Sequence, residues 1–418
     1  MAGDLHLAPE GQVGIPCALY RGGTSRGVLM LRSDLPYPRD VIEQILCRIF
    51  GSPDARQIDG VGGGTSLSSK AVIVEAARTP GADVQMTFAQ ISVDTTTVDW
   101  GGTCGNMTAA VGQFAIESGL VMPTDPITSV RIHTVNTGKR VVAHVMVRDG
   151  RVVTEGDERI PGVPGTGARL VLEWLDPAGS RTGRLLPTGR THDLVRVRDG
   201  RLIEVSIVDA ANPVVFCEAR AFGLSGTELP AELEQRLDVL EALEEVRASA
   251  AEMLAIVPSR AVATERSPGL PKVAIVSPPA WYRTCDGAAI DAGHHDIQAR
   301  LMSMQAPHRS YAVSGGICTA AAAAIDGTVV HRCRRAPVAA HLPFRIAHPF
   351  GVMEVQLETG IDAAGVLDVR SAKIARTARR IVSGLAYVPA SMVRVRVQDL
   401  DGLESLHADP SQPVLADD

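Results

Sequence analysis

Short runs in which apolar and polar residues alternate, or aliphatic residues stand together, dominate the first half of the chain. "IPCALYRGG", "GVLMLRSD", "AVIVEAA", "VQMTFAQISVD" and "SVRIHTVNTGKRVVAHVMVRDGRVV" predict strands, and the turn signals "NTGK" and "RDGR" fold the last of these into hairpins. "RDVIEQILCRIFGS" differs: Val41, Ile45, Leu46 and Ile49 recur at helical spacing and a glycine follows. "DPAGSRTGRLLPTGRTHD", rich in Gly, Pro and charge, suits a linker. Beyond it, "DLVRVRDGRLIEVSIVDAANPVVFCEAR" again predicts strands around a DG turn. "PAELEQRLDVLEALEEVRASAAEMLAIV" (230–257) predicts one long amphipathic helix with its charged face in water.

One stretch breaks the β pattern sharply. In "VDWGGTCGNMTAAVGQFAIESG", Met107, Ala110, Val111 and Phe114 recur at helical spacing, and Gly119 stands where a helix would stop. Cys104 therefore sits at the mouth of that helix. "SGGICTAAAAAIDG" (314–327) is a second glycine-rich lead into a small-residue helix. Laying Ser314-Gly315-Gly316 over Cys104-Gly105-Asn106 gives the same design, a hydroxyl or thiol followed by glycine and helix. Both copies lie in blocks of strands, which points to a duplicated domain.

Length and composition narrow the class. A chain of 418 residues exceeds what one core usually serves, so two domains are expected. Net charge is −6, which argues against a nucleic-acid or anionic-membrane partner; the basic clusters "HRCRR" and "ARTARR" read as solvated faces or local anion contacts. Seven cysteines without a CxxC spacing make neither a disulfide framework nor a zinc site. The start "MAGDLHLAPEGQVG" lacks secretory features and no apolar run reaches membrane-spanning length. A cytoplasmic protein with reduced thiols is the expectation.

Three stretches carry candidate chemistry. The first turn of a helix leaves backbone N–H groups unpaired, and its dipole adds positive charge, so such ends bind carboxylates or phosphates. The same field stabilises a thiolate, which would make Cys104 a base, acid or nucleophile; its alternative is one small buried residue among many. In "QIDGVGGGTSLSSKAVIVEA" a glycine-rich turn delivers Lys70 to the start of an aliphatic strand. Burial there would lower its pKa towards proton-transfer use; the alternative is a lysine on a strand edge. In "YRGGTSRGVLML", Arg21 supplies a cationic fork and Gly22-Gly23-Thr24-Ser25 a nest for a carboxylate, or else a plain hairpin turn. His308 and His348 stand beside turns and could touch a substrate. The pair His294-His295 lacks a third ligand at useful spacing, so no metal is expected.

Together, "IPCALYRGGTSRG", "IDGVGGGTSLSSKAVIV", "WGGTCGNMTAAVGQFAIE", "SGGICTAAAAAIDGTVV" and "ARTARRIVSGLAYVP" resemble the motif series of the PrpF family, in the family's order and over nearly the whole chain. The resemblance implies an α+β, diaminopimelate epimerase-like fold. Two similar domains (1–188 and 189–390) would each wrap a sheet around a central helix and face one another across the active site. A C-terminal strand near 391–400 ("SMVRVRVQDL") would cross back to the first domain, and the tail "HADPSQPVLADD" would be disordered.

The family contains methylaconitate, methylitaconate, aconitate and 4-oxalomesaconate isomerases or tautomerases. The resemblance therefore implies a cofactor-independent isomerase of an unsaturated di- or tricarboxylate. Aconitate- and 4-oxalomesaconate-type substrates are favoured over methylitaconate or methylaconitate. Lys70 would be the base and Cys104 its partner, with Ser314 at the second domain's equivalent of Cys104. Arg21, Gly22, Gly23, Thr24, Ser25, Ser69, Gly105, Asn106, Met107, His308, Ser314, Gly315, Gly316 and His348 would bind substrate. A homodimer is left open. Departures from the family pattern put Tyr20 and Arg26 in "YRGGTSRG", changing bulk and donors near the implied substrate, and "SGGIC" where the family more often has Thr-Gly-Ala. The rival readings are a non-catalytic carboxylate-binding protein and a redox sensor in which Cys318 resolves Cys104.

Overall fold

Gln12–Gly22 and Ser25–Leu31 form a hairpin that turns at Gly23, whose φ of +47° suits glycine. The computed structural model describes residues 7–8, 11–335, 342–361 and 367–394. Ser25–Leu31 lies parallel to Lys70–Ala76, which is antiparallel to Val84–Ile91. Val84–Ile91 lies parallel to Ile127–Thr134, and that strand is antiparallel to Lys139–Arg148. The helix Gly105–Glu117 is inserted between Val84–Ile91 and Ile127–Thr134.

The second half repeats this order step for step. Leu202–Ala210 and Asn212–Glu218 form the hairpin, and Lys272–Ser277 runs parallel to its second arm. Ile297–Ser303 follows antiparallel, then Phe344–His348 parallel, then Gly351–Ile361 antiparallel. The helix Val313–Ala324 is inserted at the matching point, before Phe344–His348. The duplication is thus written in the pairing itself, with the same alternation of parallel and antiparallel steps.

Gly351–Ile361 joins the two halves, because its first residues pair with Phe344–His348 and its last with Leu367–Arg376. Leu367–Arg376 then pairs with Leu170–Leu175, and Ala378–Pro389 with Gln12–Gly22. These two strands fall within 189–390, the range expected for the second domain, yet they pair with strands of the first half. Ala378–Pro389 is thus a strand that returns to the first half. Ala390–Arg394 is a short helix, while residues 395–400 and the tail lie outside the described residues.

Both central helices are buried on all sides, which requires small residues wherever the sheet passes close. A Cβ on Gly112 would stand 2.7 Å from Ala143 Cβ, and one on Gly316 2.6 Å from Met353 Sδ. One continuous apolar cluster includes Met107, Phe114 and Trp174 from the first half and Ile317, Leu301 and Val355 from the second.

Two expectations change. The stretch 230–257 holds two helices, Pro230–Glu234 and Leu237–Met253. Arg236 leaves helical backbone (φ −99°, ψ 68°), and its guanidinium instead grips Asp238 in the first turn of the second helix. The linker-like 176–193 is also tied down. Buried Asp209 accepts hydrogen bonds from Ser180 Oγ at 2.5 Å and from Arg181 N, Thr182 N and Thr182 Oγ1, each at 2.8 Å. Among the described residues no helix is long and apolar enough to cross a membrane. Asp209→Ala removes the carboxylate that accepts these four bonds and should lower unfolding free energy by about 3 kcal/mol, given that stranded buried donors cost ~1–3 kcal/mol each. Urea denaturation of the variant beside the parent checks this, and an unchanged midpoint would show that the turn does not depend on Asp209.

Candidate active site

The N-termini of the two central helices meet. Cys104 is the N-cap of Gly105–Glu117 (φ −121°, ψ 101°), and its carbonyl accepts from Thr108 N at 2.9 Å. Ala312 is the N-cap of Val313–Ala324, with its carbonyl accepting from Gly316 N at 2.8 Å. The two ends abut so closely that a Cβ on Gly105 would stand 2.5 Å from Val313 Cγ1 and 2.8 Å from Trp174 Cη2. Neither first turn carries an acidic side chain. Both dipoles therefore point positive charge at one place.

This geometry corrects the expected match between Cys104 and Ser314. The caps set Cys104 opposite Ala312, and Ser314 opposite Asn106. Hydrogen bonding agrees. Asn106 Nδ2 donates to Ser25 Oγ at 3.5 Å and to Thr24 Oγ1 at 3.0 Å, while Asn212 Nδ2 donates to Ser314 Oγ at 2.9 Å. Ser25 and Asn212 hold the same register, each two residues before the partner of a strand-opening lysine (Gly27 with Lys70, Val214 with Lys272). The same Asn–Ser bond thus appears twice with its partners exchanged. No thiol or hydroxyl from the second half stands where Cys104 stands in the first.

Lys70 opens its strand and is buried, only 6% exposed. Its Nζ donates to Gln90 Oε1 at 2.5 Å and lies 5.5 Å from the Phe88 ring centroid. Gln90 is fixed in turn by donating Nε2 to Ser69 O at 2.9 Å. Gly27 is needed alongside, since a Cβ there would meet Lys70 O at 2.5 Å. Burial lowers the Lys70 pKa below its ordinary 10.5, and the nearby charge of Cys104 works in the opposite direction.

A second lysine belongs to the same neighbourhood. Lys272 is drawn down to about 8 by burial first and the Lys70 charge next, with Asp99 and Cys104 opposing. His308 is pulled to about 3 by burial and by both lysines; His348 reaches about 3 through burial, Arg300, Arg376 and His308. Each imidazole accepts a backbone N–H at Nδ1, from Ser310 at 3.1 Å and Phe350 at 3.3 Å. Each is therefore neutral near pH 7 with its proton on Nε2, a donor without charge.

The glycine-rich loop packs onto the first helix end. A Cβ on Gly22 would stand 2.2 Å from Asn106 O, and one on Gly23 2.1 Å from Asn106 Oδ1. Arg21, expected to grip substrate, donates Nη1 to Gly23 O at 3.1 Å and Thr377 O at 2.9 Å, so it straps the loop to the returning chain. The arginine beside this loop is Arg376, within "ARTARR", whose Cδ would stand 3.1 Å from a Cβ on Gly23 and whose charge acts on His348. It is buried, its Nε has no partner, and with Thr24, Ser310, His348, Arg169 and Lys373 it lines a cavity of about 540 Å³. Neither this cavity nor a larger one of about 780 Å³ that touches Asp99–Gly101 is lined by Lys70, Lys272 or Cys104.

Other expected ligands have structural work. Ser69 Oγ donates to Gln57 Oε1 at 2.7 Å and Thr65 O at 2.8 Å, Met107 packs in the core against Gly27, and Gly315 and Gly316 make room for Leu301 and Met353. Tyr20 points away from the loop, donating to Glu117 at 2.6 Å near the far end of the helix. Arg26 reaches Val61 O at 3.5 Å and, with Arg21, Gly23, Thr24 and Ser25, lines a cavity of about 420 Å³. Cys318 is buried and donates to Val208 O at 3.2 Å. His295 is buried edge-on to Tyr282, and among the described residues no three His, Cys, Asp or Glu side chains are grouped to hold a metal.

A duplicated sheet wrapped on two helices whose N-termini meet is the diaminopimelate epimerase-like fold. The solved structure of a methylitaconate-delta-isomerase superposes with a TM-score of 0.73 at 39% identity, covering 92% of this chain and 98% of that one. A probable proline racemase from Agrobacterium radiobacter shares the fold at a TM-score of 0.52 and 15% identity, covering 88% and 92%. The chain belongs to the PrpF family, whose model "PrpF protein" matches residues 12–389. It is 41% identical to the 3-methylitaconate isomerase of Eubacterium barkeri, over 90% of this chain and 98% of that protein. It is 37% identical to the 4-oxalomesaconate tautomerase of Pseudomonas putida (90% and 97%) and 34% to the 2-methyl-aconitate isomerase of Shewanella oneidensis (90% and 98%). As a class, the protein is an isomerase.

The Lys70–Cys104 coupling has a sign that can be measured. With ¹³Cε-labelled lysine, Lys70 should titrate below 10.5, and Cys104→Ser should move that titration lower still, because it removes the charge that supports the ammonium. A titration at or above 10.5, or an upward move in the variant, would contradict this arrangement.

Proposed function

We propose that this isomerase moves a proton and a double bond within an unsaturated di- or tricarboxylate, with Lys70 as base and Cys104 as its acid/base partner. The observation that carries the reading is a buried lysine, depressed by desolvation, coupled to a cysteine at the junction of two helix N-termini. A C–H flanked by a carboxylate and an alkene is acidic because its anion spreads over both. Neutral Lys70 Nζ takes that proton, and the C–H electron pair becomes part of a dienolate. A proton returned to the far allylic carbon, from Cys104 or from Lys70 itself, leaves the alkene shifted. The proton removed is replaced and no electrons leave the substrate, so the chemistry calls on no cofactor.

The rest of the site supports charge of this kind. Helix N-termini, Thr24, Arg376 and the neutral donors His308 and His348 suit carboxylates and a developing enolate. Cys104 must stay reduced for this role, which favours the cytoplasm. Aconitate or 4-oxalomesaconate is the preferred substrate type, and methylitaconate or methylaconitate the alternative. A carboxylate-binding protein without catalysis is the reading of another class; it calls for a charged lysine, whereas burial lowers the Lys70 pKa.

Proton NMR in D₂O with cis- and trans-aconitate, 4-oxalomesaconate and methylitaconate, beside Lys70→Ala, tests the proposal. The expected result is alkene migration in one of them, with deuterium at the new allylic carbon and a loss of at least 10³-fold in the variant, in the range of removing an essential acid/base group. Exchange that survives Lys70→Ala would reassign the base. Binding without exchange would favour the non-catalytic reading.

A further inference from the structure

The duplication that places Lys70 also places Lys272. Each is the first residue of the strand parallel to the hairpin's second arm, opening "KAVIV" and "KVAIV" respectively. Each reaches for a side chain on the next antiparallel strand, Gln90 for Lys70 and Ser303 for Lys272. The caps of the two halves have diverged, Cys104 against Ala312, while the lysines have not.

We propose that Lys272 is a substrate-binding ammonium of the active site, holding a carboxylate from the second half of the chain while Lys70 acts as base from the first. Its hydrogen bonds leave it unsaturated: Gly269 O and Ser303 Oγ both stand at 3.4 Å, beyond the ~2.9 Å of a strong N–H···O contact. The Asp99–Thr103 strip leading to Cys104 lies directly on this segment. A Cβ on Gly269 would stand 2.2 Å from Asp99 Oδ2, and one on Gly102 3.5 Å from Leu270 Cδ1. Lys70, Cys104 and Asp99 all act on the Lys272 charge. The two lysines also differ in a useful way. Lys70 has a short bond to Gln90 and is lowered by desolvation, whereas Lys272, at about 8, favours its protonated form at pH 7. One amine is suited to accept a proton, and the other keeps the positive charge that a carboxylate needs.

This inference rests on the polycarboxylate reading, and the experiment separates the two. Turnover by the wild type is measured together with calorimetric binding of tricarballylate, a saturated tricarboxylate with no alkene to shift. Lys272→Met should weaken tricarballylate binding at least tenfold and raise KM at least tenfold, with kcat within about threefold. Lys272→Arg should restore binding to within about threefold; because it keeps the charge, it also serves if the methionine variant does not fold. Unchanged binding and KM in Lys272→Met, or tenfold weaker binding in Lys272→Arg, overturns the inference while a wild type that turns over keeps the function. A collapse of kcat with binding intact also overturns it, since Lys272 would then move protons rather than hold substrate. A wild type that neither binds nor turns over any polycarboxylate overturns both.

Discussion

Everything in the site hangs on the contact between two helix N-termini, where Gly105 lies against Val313 and Trp174 with no room for a Cβ. Two like ends of a macrodipole repel, so they meet only where packing and hydrogen bonds outweigh the repulsion. Asn212 supplies part of that, donating to Thr103 O at 3.0 Å and to Ser314 Oγ at 2.9 Å, which fastens the residue before Cys104 to the second helix. The shared apolar cluster supplies the rest. An anion is the natural complement of such a junction, since it relieves the repulsion that the fold otherwise sustains.

The same constraint explains the lysines. Burying an amine in a site already positive by virtue of its helix ends favours the neutral form twice, by desolvation and by field. Gly27 lets the neighbouring strand close over Lys70, and Gln90 holds the nitrogen in place. Cys104 works the other way, since its charge favours the ammonium form of Lys70. The neutral histidines fit the same logic, because burial and the neighbouring cations keep further positive charge out of the site.

Much of this was legible beforehand, and the failures have physical causes. Strand alternation, the glycine stop of Arg39–Phe50 and the mouth position of Cys104 are local signals, and they hold. Lys70 was visible because a glycine-rich turn announced it. Lys272 had no such turn, and only strand register shows that "KVAIV" repeats "KAVIV". Arg376 was read as surface charge because "ARTARR" carries neighbours that do face solvent. Tyr20 was drawn to the substrate by treating a motif as one patch, although adjacent strand residues point to opposite faces. Ser314 was matched to Cys104 on residue type, when the cap carbonyls place it two residues deeper.

The broken symmetry bears on which reaction the fold can run. Inverting one carbon calls for two acid/base groups of similar strength on opposite faces, and a duplicated fold provides them when both caps carry the same thiol. Here one cap is Cys104 and the other Ala312, so the opposing thiol is missing. What persists in both halves is an amine at a strand start, together with an Asn–Ser bond that orients each helix end. If the base and its thiol partner are drawn from one half, as proposed, the other half is left free to hold charge. The proposed movement of a proton between two different carbons suits that division of labour, since a substrate would be gripped at its carboxylates while its reacting carbons stay within reach of Lys70 and Cys104. The fold has kept its duplicated frame while its two helix caps have become unlike.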